Sequence, residues 1–233
     1  MKKPAIFTLL FSLIMLPAFA QDILTGAWEK VTTGNTREVV IFQDGYFMQT
    51  VFTDKEFIST RGGTYSYDNN DFKAFIEFDT KNSDAIGKEE KANLAVDVDG
   101  NATWNGEKWK RIDNGVGELA GNWRITGRMQ NGEMQETGNR GPRKTLKILS
   151  GTRFQWAAIN PETKQFSGTG GGTYTFENGK YTENIEFFSR DNSRVGASLT
   201  FDGEVSGDKW KHSGNSSTGN PIAEIWTRER SGK

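Results

Sequence analysis

The chain carries few of the residues that covalent chemistry needs. His212 is the only histidine and there are no cysteines, so thiolate, Zn-thiolate and disulfide-exchange chemistry are closed to it. A hydrolase of the triad kind would need that single imidazole beside both a nucleophile and an acid. No Gly-x-Ser-x-Gly elbow, Walker loop or His-Glu-x-x-His pair occurs. Carboxylate pairs could serve a glycosidase, but Asp and Glu are most often solvated surface. Asp97-Val-Asp99-Gly-Asn101 opens like a calcium loop, with oxygen ligands at alternate positions. Its Gly comes two positions too early and no Glu follows at the required distance, so a plain Asp-Gly turn is expected. No metal and no cofactor is assigned.

Any functional group must then be judged by the element that holds it, and the elements repeat. Residues 171–187 read GGTYTFENGKYTENIEF and residues 62–78 read GGTYSYDNNDFKAFIEF. Shared glycine and apolar positions over this length indicate an internal duplication. It extends both ways: Leu24-Thr-Gly-Ala-Trp28 answers Leu119-Ala-Gly-Asn-Trp123, and the units end on Trp109-Lys-Arg111 and Trp226-Thr-Arg228. The stretch Asp113-Asn-Gly-Val-Gly-Glu118 is a Gly-rich connector, placing one unit at 21–115 and the other at 116–233.

Each unit parses into about eight short alternating segments, the number an up-and-down barrel uses. In the second unit they fall at 122–128, 144–150, 153–159, 170–177, 180–189, 196–205, 208–212 and 222–229. Asn69-Asn70, Asn178-Gly179, Asp99-Gly100 and Gly207 supply tight hairpins, because such residues accept positive φ. In an antiparallel meander alternate connections emerge at opposite ends, so the short turns collect at a closed base and the longer polar joints at an open rim. The 27 glycines are spread between these segments, and no long 3.6-residue period follows the first 20 residues, so helix content should be low.

Residues 1–20, MKKPAIFTLLFSLIMLPAFA, have two lysines, an apolar run too short for a comfortable span and an Ala-x-Ala ending. They read as a secretory signal, which makes the mature protein exported, periplasmic or extracellular, without a membrane span. A net charge of -1 from 29 basic and 30 acidic residues, with no long run of either sign, gives no footprint for nucleic acid.

Gly-x-Trp at the start of the first strand (Trp28, Trp123), an Arg on the last strand placed to lie over it (Arg111, Arg228), and eight antiparallel strands between resemble the lipocalin and wider calycin pattern. The tandem arrangement is similar to that of bacterial membrane or secreted proteins carrying lipocalin-like domains. The resemblance implies two eight-stranded antiparallel barrels, all-β, and an interior that takes small, mostly apolar molecules. Trp28, Arg111, Trp123 and Arg228 are expected to close the barrels by stacking and cation–π contact.

Alternation then selects the interior. Phe72, Ala74, Ile76 and Phe78 share one face of their strand, so Tyr181, Glu183, Ile185 and Phe187 share the matching face, with Glu186 pointing out. The same parity turns Trp156, Tyr174, Phe201, Trp210 and His212 inward. Glu183 stands where the first unit has Ala74, and an inward carboxylate costs several kcal/mol unless it is paired, hydrated or liganded. The second unit also carries extra rim residues at 128–143 and 212–220. The expectation is a non-catalytic binding protein whose second barrel holds a small apolar or amphiphilic molecule among Trp156, Tyr174, Tyr181, Glu183, Phe187, Phe201, Trp210 and His212. The alternatives are a protein- or glycan-interaction module with side-chain-filled barrels, and a hydrolase or isomerase working through Glu183 and His212.

Overall fold

A computed structural model of the chain describes residues 23–32, 34–137 and 141–231; residues 1–20, read above as a secretory signal, lie outside them. Among the described residues there is no α-helix, and no helical segment is long and apolar enough to cross a membrane. The first barrel closes through β1 (Gly26–Lys30), β2 (Arg37–Gln43), β3 (Tyr46–Phe52), β4 (Phe57–Asp68), β5 (Asp71–Asp79), β6 (Glu89–Val96), β7 (Ala102–Trp104) and β8 (Glu107–Asp113), in chain order. The second begins with β9 (Gly121–Gln130), on whose outer end β10 (Glu133–Glu136) folds back as a ribbon. It continues through β11 (Lys144–Leu149), β12 (Arg153–Asn160), β13 (Gln165–Glu177), β14 (Lys180–Phe188), β15 (Ser198–Ser206), β16 (Lys209–Asn215) and β17 (Pro221–Arg228), which pairs back to β9. Both barrels are eight-stranded and antiparallel, as the sequence led us to expect. The insertion at 128–143 accounts for the extra ribbon.

The turn chemistry appears where the residues placed it. Asn69 (φ 48°) and Asn70 (φ 69°) turn β4 into β5, and Asn178 (φ 52°) with Gly179 (φ 73°) turn β13 into β14. Asp97 Oδ1 accepts from the Asp99 and Asn101 amides at 3.0 and 2.9 Å, so this carboxylate is committed to a turn. At the closures, the guanidinium carbon of Arg111 lies 3.9 Å from the centre of the Trp28 ring and that of Arg228 4.6 Å from Trp123. Each indole donates to the carbonyl four residues earlier, Leu24 or Leu119, at 2.8 Å.

The duplicated Gly-Gly and Ile-Glu-Phe motifs build one device twice. In β4–β5 the register jumps between Gly62↔Phe78 and Gly63↔Ile76, and in β13–β14 between Gly171↔Phe187 and Gly172↔Ile185. Each jump is a bulge at the Glu between Ile and Phe, and a bulge reverses the facing of everything beyond it. A Cβ on Gly63 or Gly172 would overlap the carbonyl of Phe75 or Asn184, so only glycine fits opposite the bulge. Phe78 and Phe187 are thereby turned out of their own barrels.

What they meet is the other barrel. Phe187 packs on Phe52, 5.0 Å between ring centres, while Phe78 joins a cluster with Ile41, Met48, Leu146, Ile148, Ala157 and Ile159. The polar contacts obey a pseudo-two-fold. Glu77 accepts from Tyr46 of its own barrel at 2.6 Å and from Lys144 of the other at 2.8 Å. Glu186, its repeat mate, accepts from Arg153 of its own barrel and from Arg37 of the other at 3.1 Å. Tyr46 and Arg153 occupy equivalent positions, as do Arg37 and Lys144. The same patch is used on both units, as in an isologous dimer.

Candidate functional site

Next to its closure the first barrel is filled by side chains. Trp28, Val40, Phe42, Leu94, Trp104 and Trp109 surround a void of about 10 Å³, less than a ligand needs. Toward the rim the first barrel has a hollow of about 210 Å³ lined by Glu38, Gln49, Phe72, Glu107 and Trp109, and the corresponding space in the second barrel is a cavity of about 510 Å³. The base of that barrel is plugged by Leu119, Trp123, Leu149, Phe154, Tyr174, Tyr181 and Trp210, and the cavity lies between this plug and the rim.

Strand parity puts polar groups on its floor. Lys147 of β11 and Glu183 of β14 reach across the interior and pair at 2.8 Å, 4% and 5% exposed. The ammonium nitrogen also lies 5.0 to 5.3 Å from the ring centres of Trp226, Tyr181 and Trp210. A buried pair of this kind needs its Coulombic and cation–π partners to offset desolvation. The aligned positions of the first barrel are Val40 and Ala74, both inside its core. Both members of the pair are thus changed together between the units.

A second polar pair faces them. His212 and Glu224 sit directly opposite each other on β16 and β17, with Nδ1 3.5 Å from Oε2. The same carboxylate oxygen accepts from the Trp226 indole at 3.1 Å. Burial pushes His212 below its ordinary pKa against the pull of Glu224, so the imidazole is neutral near pH 7. For Glu224, burial alone would raise the pKa, but the contact with His212 and the charge of Lys147 outweigh it and hold the carboxyl below its usual range. Tyr181 is pushed well up by burial and by the neighbouring Glu183 carboxylate, which keeps the phenol protonated.

The walls are apolar: Trp156 and Ala158 from β12, Ile185 and Phe188 from β14, Leu199 and Phe201 from β15. Trp156 and Phe188 meet edge to face, 5.6 Å between centres. Arg128, Arg143 and Arg190 stand at the mouth, beside Ser216, Ser217 and Thr218 of the β16–β17 joint. Chemically this is a concave aromatic surface with hydrogen-bonding groups at its deep end and cations at its entrance.

Of the sequence-derived residues, Trp156, Glu183, Phe201 and His212 line the cavity. Tyr174, Tyr181 and Trp210 lie below it in the base plug, Tyr174 donating to the Ser150 carbonyl at 2.6 Å. Phe187 is a correction: the bulge at Glu186 turns it outward onto Phe52, and Phe188 takes its place inside. Sequence reasoning did not single out Lys147, Glu224, Phe188 or the mouth arginines. Lys147 was visible as a charge set within the apolar run Leu146–Leu149, at the position aligned with Val40. Glu224 has Glu107 as its mate and so gave no contrast.

No family model matches the chain, and no curated protein matches it.

Proposed function

We propose that the protein is an exported, non-catalytic binding protein whose second barrel holds one small apolar or amphiphilic molecule, released to the periplasm or beyond after removal of residues 1–20. The observation that carries this reading is the larger space on the rim side of the second barrel: the first has a hollow of about 210 Å³ over a core closed to about 10 Å³, and the second a cavity of about 510 Å³. A volume of that size is in the range of small-molecule sites, and its lining of aromatic walls with a few fixed polar groups is what such sites use. The lipocalin-like resemblance of the closure motifs is consistent with it.

Titration with phenylnaphthylamine, a neutral apolar fluorophore, tests the reading. Saturable uptake at one site per chain is expected, with energy transfer from Trp156, and Ala158→Trp, which fills the cavity, should abolish it. Uptake that survives Ala158→Trp would place the probe elsewhere and defeat the proposal.

A hydrolase or isomerase is the second reading, favoured by one observation: Glu183 and His212 line the same cavity, and Glu224 stands behind the imidazole as an orienting carboxylate would.

A further inference from the structure

The mouths of the two barrels are built from different charge patterns. Around the first, Lys30, Arg61 and Lys91 face Glu38, Glu90 and Glu107, three cations against three carboxylates. Each cation there is paired: Lys30 with Glu38 and Glu107, Arg61 with Glu90, Lys91 with Glu89 two residues before it. The second cavity has Arg128, Arg143, Lys147 and Arg190 against only Glu183 and Glu224, an excess of two positive charges. Lys147 and Arg128 are accounted for by Glu183 and Glu224. Arg190 donates through Nε to the Ser167 carbonyl at 2.7 Å, and neither it nor Arg143 has a carboxylate partner among the described residues. The chain as a whole is at -1, so this excess is local.

The two free cations flank the aromatic wall. Arg143 immediately precedes β11, Arg190 follows β14, and between those strands Trp156 pairs with Gly170 and Gly170 with Phe188. A Cβ on Gly170 would meet the Trp156 indole, and one on Gly168 the Arg190 guanidinium, so the glycines of β13 let both side chains lie flat over that strand. The charged groups at the deep end, among the described residues, are the paired Lys147 and Glu183 and Glu224, beside an uncharged His212 neither of whose ring nitrogens has a hydrogen-bond partner within 3.5 Å of good geometry. An anion bound there would meet two carboxylates; an anion at the mouth would meet two unpaired guanidinium groups and a solvent-facing edge, where its own desolvation is small.

We infer that the molecule taken by the second barrel is an amphiphilic anion, a carboxylate, sulfonate or phosphate ester on an aromatic or aliphatic body, held with its charge between Arg143 and Arg190 and its body against Trp156 and Phe188. This rests on the cavity being a binding site and adds the charge of the occupant and the residues that select it. His212 offers a buried acceptor to a hydroxyl or amide at the far end of the same molecule.

Anilinonaphthalene sulfonate and phenylnaphthylamine share one aromatic body and differ by the sulfonate, so their affinities isolate the charge. On the full chain the sulfonate is expected to bind about tenfold or more tighter. In Arg143→Gln/Arg190→Gln that preference should fall to near unity while phenylnaphthylamine affinity is retained, and the wild-type preference should shrink at high salt. Equal affinity of the two probes for the wild type, or a preference that persists in the double variant, would overturn the inference and leave the cavity reading standing. Binding of neither probe, or binding of both to Ala158→Trp, would remove the cavity reading and the inference with it.

Discussion

Lys147 Nζ lies 2.8 Å from Glu183 Oε1 across the interior of the second barrel, at the two positions where the first barrel has Val40 and Ala74. Breaking such a pair strands a buried charge, whereas replacing both members by apolar residues removes the desolvation cost with the attraction. Lys147→Val alone should therefore destabilise the chain by about 3–5 kcal/mol, and Lys147→Val/Glu183→Ala should recover most of that loss. Denaturant unfolding of the two variants measures the difference. A double variant no more stable than the single one would mean that the pair does not act as a unit.

Trp156→Gln installs the residue of the first barrel, Gln49, in the cavity wall. Lost apolar contact should weaken binding of an aromatic probe by about 1–3 kcal/mol. Gln49→Ala, in the other barrel, should leave affinity within error. Calorimetric titration of both variants separates the units.

Phe187 is expected to behave as a core residue between barrels and not as part of the site. Truncation to Ala should cost about 3–5 kcal/mol of stability through the cavity left against Phe52, with probe affinity unchanged in the folded protein. Loss of affinity without loss of stability would put its ring back inside the barrel.

Stability should fall in acid. His212 titrates below its ordinary 6.5 because burial disfavours the imidazolium, so the unfolded chain takes up the proton first and stability declines as pH drops through 6.5 toward the folded value. Glu224, held below its ordinary 4.5 despite burial, contributes fully above 4.5 and progressively less below it. The two slopes have the same sign. His212→Gln should flatten the decline just below about pH 6.5 and also shrink the lower limb, because the contact that helps hold Glu224 down is lost with the imidazole; thermal melts across the range would resolve both changes.

Residues 116–233 made alone would bare Leu146, Ile148, Ala157 and Ile159, all at most 2% exposed in the full chain. Because the two units use the same patch on each other, the fragment is expected to self-associate through it. Sedimentation equilibrium would report this, and a stable monomer would contradict the isologous interface.

Much of this architecture is legible in residue order, because the period of two, the positive-φ turn residues and the closure pairs Trp28–Arg111 and Trp123–Arg228 are local signals. The inward facing of Glu183, Phe201 and His212 follows from the same parity. Parity alone fails at Phe187, since one extra residue reverses everything after it. The Gly-Gly pairs at Gly62-Gly63 and Gly171-Gly172 were the sign of that bulge, but a glycine pair has several uses and only the strand opposite shows which. The inter-barrel contacts of Glu77 and Glu186 could not be read at all, because Tyr46, Lys144, Arg153 and Arg37 are brought to them by the packing of two closed sheets. Their repetition in both units marked a structural role without naming the partner.

The most direct test of a ligand-holding second barrel is native mass spectrometry of the full chain, gently purified from the cells that make it, beside Ala158→Trp in the second barrel and Ala92→Trp at the mouth of the first. A bound mass is expected on the wild type and on Ala92→Trp, and none on Ala158→Trp. A bound mass that persists in Ala158→Trp and disappears in Ala92→Trp would assign the site to the wrong barrel and contradict the account.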